Sequence, residues 1–591
     1  MTRTTTPLNE AIPEAVLETP AVRPRRSVKQ GFDRNQLIWW LGLLVLAAFV
    51  LAPVIPTLYQ SIRDTALYDA DGVLTLSNYG RLFTEAGFGE VIVNTLVFAT
   101  LTTVFTLVIA VPISIVIART NVPGKRMFES MMQWPFYVSS LILALGWVIV
   151  YGPAGYLSQA VRGILGTVPW NLYTLPGMAV TEAVAISPIV YMFCRNALLQ
   201  SDASLEEAAR TTGAGPLRIL LTIVVPMMRP AMIYSVILVF SISVETLSVP
   251  LIFGTPAEIS VFSSFLYTNG LQSLNPDYGI LGAASVLILL VTVSLVVVQT
   301  QLLKNARRFV SVRGKATRPK PLELGWLRWP AVAFVAAYTI LGAFIPMAGV
   351  IARSFVFVLT PMQNPIQSLT MSNYEKIFTF SAYSGSIVNS LIIATIGSFV
   401  LTTACVVFAV ISKRSSFRWR RTMEYLALAP QSMPGIIVGI GLFWAFALIP
   451  FGGGALIQGT LLALIIGFGF RALPAAFGSV APAIMQISEE LDRAANVSGA
   501  DWFRTMRSIV VPLVLPAVGS AFVLTFITMF KEYSPAIFLQ SADSRVLGTT
   551  MLELWAQGIT GPVAALATIQ IAIISIVVLI AGFTLRGFKH A

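Results

Sequence analysis

Apolar runs of about 20 residues recur along nearly the whole chain, separated by short polar or basic stretches, and each is long enough to cross a hydrocarbon core of roughly 30 Å as a helix. Twelve such runs centre near Leu46, Val104, Leu141, Val184, Val239, Leu289, Val335, Ile396, Ile437, Leu464, Leu524 and Ile573. The pattern predicts an all-α membrane protein of about twelve transmembrane helices. Ahead of the first run lies a Pro-, Thr- and Arg-rich stretch with no apolar core and no cleavage-like site. It does not read as a signal peptide, and residues 1–36 are expected to form a disordered cytoplasmic tail.

Composition agrees with the pattern. The 591 residues are 56% hydrophobic and 11% charged, with a mean hydropathy of +0.79, which excludes an ordinary soluble globular protein. An even number of spans places both termini on one side. With the N-terminus inside, the expected cytoplasmic segments 1–36, 119–126, 195–229, 304–328, 413–421, 471–507 and the residues after 585 hold 32 of the 39 Lys and Arg. Such a bias for short loops orients a chain with its basic side inward. The net charge of +12 is then a topology determinant facing an anionic leaflet of membrane lipid, and no nucleic-acid partner is implied.

Several chemistries are excluded. The cysteines are Cys194 and Cys405, both near or within expected spans, and the one histidine is His590. No disulfide framework, His/Cys metal site or Ser-His-Asp triad can be built from them. No G-x-x-x-x-G-K-[ST] phosphate loop occurs, so the chain is not a Walker-type ATPase. It reads as a non-enzyme that binds no cofactor of its own.

The chain repeats itself. Leu76-Ser77-Asn78-Tyr79 and Val93-Asn94-Thr95-Leu96 return as Met371-Ser372-Asn373-Tyr374 and Val388-Asn389-Ser390-Leu391, displaced by 295 positions. Leu205-Glu206-Glu207-Ala208-Ala209 with Gly213 returns as Leu491-Asp492-Arg493-Ala494-Ala495 with Gly499, displaced by 286. Six spans per unit restore the starting side, so the two copies share one orientation, related by an axis along the membrane normal. The expected organisation is a first repeat over 37–303, a basic cytoplasmic linker over 304–327, and a second repeat over 328–591.

The second duplicated element is a polar, helical loop placed identically in both units. Its Glu-x-Ala-Ala style run favours a short helix, the glycine ends it or permits the turn, and Pro226 or Pro512 opens the following span. The alanines leave one side without bulk, which suits docking into a partner's cleft. This arrangement resembles the EAA loop of binding-protein-dependent ABC importer permeases, and the resemblance extends over essentially all of 37–588, one permease domain per half. It implies a type I importer fold and a coupling helix that sits in a groove of a cytoplasmic ATPase. Carried over, Glu206, Glu207, Ala208, Ala209 and Gly213, with Asp492, Ala494, Ala495 and Gly499, are the ATPase-coupling residues. The second copy departs from the pattern, with Asp in place of the first Glu and Arg493 in place of the second acid.

The same resemblance implies the partners: two copies of a cytoplasmic ABC ATPase, which would carry ATP and Mg, and a periplasmic or lipid-anchored solute-binding protein. It places the chain in a bacterial inner membrane with both termini cytoplasmic. Arg119-Thr120-Asn121-Val122-Pro123-Gly124-Lys125-Arg126 and Gly146-Trp147…Tyr151-Gly152-Pro153-Ala154-Gly155 look like the ferric-iron importer permeases. Thiamine, polyamine and phosphonate permeases are alternatives within that family. An ion-gradient-driven secondary transporter is the alternative from another class.

Ionisable residues inside membrane helices are costly and usually face a cavity or a partner. Glu245 in the first half, and Lys531 and Glu532 at similar depth in the second, are the pathway candidates, with Pro250 and Pro535 suggesting broken helices nearby. Two acidic groups would suit a cationic cargo. Glu182 and Arg353 read as lying near span ends.

Overall fold

The computed structural model describes residues 34–69, 71–200, 204–306, 321–357 and 367–587. The tail expected over 1–36 therefore lies outside the described residues except for its last three, which already belong to the first helix. Of the expected linker, 307–320 lies outside them.

Among the described residues, ten helices are long and apolar enough to cross a membrane, and two bent helix pairs bring the total to twelve. In the first half these are α1 (Arg34–Ser61), α2 (Phe88–Arg119), α3 (Ser140–Leu165), α4 (Leu175–Gln200), α5 (Arg229–Glu245) and α6 (Tyr278–Ala306). In the second they are α7 (Gly325–Ser354), α8 (Ser381–Arg414), α9 (Gly435–Ala447), α10 (Leu461–Gln486), α11 (Val511–Lys531) and α12 (Thr560–Gly587). The bends have local causes. Arg420–Ser432 meets α9 at 110° across Met433, which precedes Pro434 and is extended. A residue before proline is pushed out of the helical region. Pro216–Met227 meets α5 at 61°, next to Pro230.

The duplicated asparagine motifs satisfy irregular backbone, which lipid cannot do. Asn78 Nδ2 donates to the carbonyls of Ser61 and Arg63 at 3.1 and 2.7 Å. Asn373 Nδ2 does the same for Ser354 and Val356 at 3.0 and 3.1 Å. Each asparagine thus closes the carbonyl end of the first span of its half, where the intrahelical partners run out. Thr95 Oγ1 accepts from the Phe262 amide and Ser390 Oγ from the Leu547 amide, both at 2.9 Å. These contacts tie the second span of each half to the short helix that precedes the last span.

The halves interlock by exchanging their first spans. α1 packs on α9 of the other half as well as on α6, and α7 packs on α3 as well as on α12. Glycine makes both crossings possible, because a Cβ on Gly441 would meet the Pro53 carbonyl and a Cβ on Gly146 the Pro346 carbonyl. Close approach through small residues is how helices associate where lipid removes the hydrophobic drive. Hydrogen bonds reinforce the second crossing. Pro346 has no N–H for the Gly342 carbonyl four residues back, and Trp147 Nε1 donates to that carbonyl at 3.0 Å. Tyr151 Oη donates to the adjacent Leu341 carbonyl at 2.6 Å.

Candidate translocation cavity and coupling loops

The two polar loops fold alike. Helix Ser204–Thr211 in the first half and helix Glu489–Val497 in the second each end in a paired backbone turn. In the first, the Ala214 amide donates to Ala209 O and the Gly213 amide to Arg210 O. In the second, Ala500 donates to Ala495 O and Gly499 to Asn496 O. This is the arrangement that calls for a left-handed residue after the helix, and Gly213 and Gly499 both stand at φ 81°. A five-residue π-helical turn follows in each, Leu220–Val224 and Met506–Val510, ahead of Pro226 and Pro512.

Each loop helix is held by an ion pair, buried in the first half and half-buried in the second. Glu206 meets Arg119, the last residue of α2, at 2.5 Å, and both side chains are only 2% exposed. Asp492 meets Arg414, the last residue of α8, at 2.8 Å. Arg414 also donates to the carbonyls of Ile484 and Ile487. Glu206 and Asp492 therefore turn their carboxylates onto the ends of α2 and α8. Glu207, Ala208 and Gly213 in the first loop, and Ala494 and Gly499 in the second, are exposed. Ala209 is half-buried and Ala495 buried. A signal for the anchors was in the sequence, since Arg119 and Arg414 are separated by the same 295 positions as the asparagine motifs.

The loops differ in what holds the helix end beside them. In the second half Trp502 Nε1 donates to the Arg414 carbonyl at 2.8 Å. The first loop has Pro216 at the matching place, and the chain leading into α7 takes over. The Leu322 amide donates to the Arg119 carbonyl at 2.7 Å, and the Asn121 amide donates back to Leu322 O at 3.3 Å. This strap walls a cleft of about 670 Å³ together with Arg210, Gly213, Asn121 and Glu323.

Between the halves lies a cavity of about 280 Å³ whose wall includes Glu182, Glu245, Arg471, Lys531, Glu532 and Tyr533. The structure thus brings the three pathway candidates together, two of them at helix ends. α5 stops at Glu245 with Thr246 extended, and α11 stops at Lys531 with Glu532 extended. The freed amides of Tyr533 and Ser534 donate to Glu532 Oε1 at 3.1 and 3.0 Å.

Arg471 changes the electrostatics expected of this site. It stands within α10, not in a cytoplasmic segment beginning at 471, and its two terminal nitrogens grip Glu245 at 2.9 and 3.1 Å. Its Nε lies 3.6 Å from Glu532 Oε2. Glu245 and Glu532 are therefore shared by one guanidinium and do not form a free acidic pair, contrary to the expectation of two acids open to a cation. Lys531 Nζ donates to the Phe136 carbonyl at 2.6 Å and lies over the Phe136 ring. Ser248 Oγ and Tyr533 Oη, one from each half, are 2.7 Å apart.

Of the remaining ionisable candidates, one is placed differently from the sequence reading. Glu182 is inside α4, fully enclosed on the cavity wall and away from the span end. Arg353 does lie near the end of α7, where it donates to Val356 O at 2.6 Å and Thr560 Oγ1 at 2.7 Å.

Known proteins resemble this chain along most of its length. A family model described as the binding-protein-dependent transport system inner membrane component matches twice, over residues 110–308 and 405–589. A ferric transport system permease protein of Haemophilus influenzae, provisionally named FbpB 1, is 28% identical over 529 residues, covering 88% of this chain and 80% of that one. The ferric transport system permease protein FbpB of Actinobacillus pleuropneumoniae is 26% identical over 546 residues, covering 91% and 76%. A provisionally named 2-aminoethylphosphonate transport system permease protein, PhnU of Salmonella typhi, is 25% identical over 255 residues, covering 42% of this chain and 85% of that one. With two matched copies on interlocked six-span halves, the chain belongs to the binding-protein-dependent transport system inner membrane components, as a fused, two-domain, multi-pass ABC importer permease.

Proposed function

We propose that this permease carries ferric iron inward, driven by two cytoplasmic ABC ATPases that dock on the two loops and supplied by a periplasmic solute-binding protein. The iron assignment rests on the relatives named for ferric transport, which match along 88% and 91% of the chain, whereas the phosphonate relative matches 42%. The coupling assignment rests on one observation, the duplicated anchoring of Glu206 by Arg119 and Asp492 by Arg414. A helix tied by an ion pair to the end of a long span transmits a push to that span. Glu207, Ala208 and Gly213, with Ala494 and Gly499, are the groups such an ATPase would touch. The loops then face the cytoplasm, as do both termini. ATP and Mg reside on the ATPase, and the segments near 62–90, 254–278, 357–385 and 539–562 form the seat for the binding protein.

The test is purification of the tagged chain from its native membrane in mild detergent, with mass spectrometry of what accompanies it. A stoichiometric ABC ATPase is expected, lost when Gly213→Asp and Gly499→Asp are combined, because both glycines occupy a left-handed conformation on an exposed surface. A co-purifying binding protein loaded with ferric iron would establish the cargo. Absence of any ATPase after crosslinking, with uptake that follows an ion gradient, would replace this reading by a secondary transporter.

A further inference from the structure

We propose that Glu182 is the group that receives the cationic cargo between the halves, as the one carboxylate on the cavity wall not held by a cation. The inference rests on the iron-import reading and deepens it. Of the charged groups on that wall, Arg471 is taken up by Glu245 and Glu532, and Lys531 is held on the Phe136 carbonyl. Glu182 is different. Its residue is 2% exposed, it pairs with no cation, and its Oε2 has no hydrogen-bond partner. Thr246, at the break after α5, lines the same cavity.

Enclosing a carboxylate without a counter-charge costs several kcal/mol even after relaxation. Within a membrane helix, an ionisable residue kept at that cost marks a substrate or ion pathway. The surroundings suit a hard cation. Thr246, Ser140, Ser534 and Tyr533 supply hydroxyl oxygens around the same cavity, and oxygen donors select hard metal ions over soft ones. Among the described residues no three His, Cys, Asp or Glu side chains converge as a metal cage. One carboxylate with hydroxyls holds an ion loosely enough to release it, which a pathway requires. The site is single, since the residue 286 positions on, at the matching place in α10, is Phe468, itself buried.

Two measurements test this. The first uses the purified full chain and terbium(III) as a hard trivalent probe, with emission sensitised by nearby tyrosine. A saturable component is expected in the parent chain and should vanish in Glu182→Gln. No saturable component, or an identical one in the variant, overturns the proposal whatever the cargo is. The second uses cells expressing the chain with its ATPase and binding protein and fed radioactive ferric citrate. Uptake should fall by about tenfold or more in Glu182→Gln, the loss expected when a charged partner is removed, and recover in part in Glu182→Asp. ATPase co-purification and melting temperature should be unchanged or raised, because the isosteric amide relieves an uncompensated charge. Uptake at the parental rate, or a loss that tracks a lowered melting temperature in both variants, overturns the proposal. Failure of the parent system to import iron, with terbium binding intact, sinks only the cargo named above.

Discussion

Arg471 faces two carboxylates at once. A single guanidinium from the second half neutralises Glu245 of the first half bidentately while lying against Glu532 of its own. Removing it would leave two enclosed carboxylates facing each other. Arg471→Met should therefore destabilise the chain by about 3–5 kcal/mol, seen as a lower melting temperature in detergent, whereas replacing the whole cluster by Gln, Met and Gln should restore most of the loss. Arg471→Lys should recover little, since an ammonium cannot reproduce the two-pronged grip. A melting temperature unchanged in Arg471→Met would show that the cluster does not hold the halves together. In sequence this residue falls at the start of the expected cytoplasmic segment 471–507. Only its partners 226 and 61 positions away, Glu245 and Glu532, make it a residue of the membrane interior.

At the level of elements, the exchanged first spans depend on two glycines. Gly441→Leu would place a branched side chain on the Pro53 backbone at the crossing of α1 and α9. Overpacking of this kind costs about 1–3 kcal/mol, so the variant should melt lower and extract as a less uniform species by size-exclusion chromatography. A parental profile would mean that the crossing is looser than the structure describes. The twelve runs, the duplication and the two loop helices were legible because hydropathy and repeated motifs are local signals. The exchange was not, since an apolar helix carries no address for the half it packs against. The loop anchors fall between. Glu206 and Asp492 are visible as repeated acids, but their ion pairs are not, because an acid facing solvent and one paired to a span end look alike until Arg119 and Arg414 are recognised as a matching repeat.

Taken whole, the molecule is held across its two halves by contacts that do not need the connecting chain. These include the Gly146 and Gly441 crossings, the Arg471 cluster, and the Tyr338 Oη bond to Val184 O at 3.0 Å. If the gene is divided between codons 306 and 321 and both pieces are co-expressed, the tagged half should retrieve its companion from detergent extracts. Recovery of the tagged half alone would assign the cohesion to the linker. The strap also has a bearing on any assembly built on this chain. It occupies, beside the first loop, the role that an indole plays beside the second, so the two loops are alike in shape and unlike in their supports. A partner composed of two identical subunits would find its own two-fold symmetry unmatched by its host. One copy would push against a support made of backbone pairing and the other against one made of a side chain, and the two strokes of its cycle would meet different resistance.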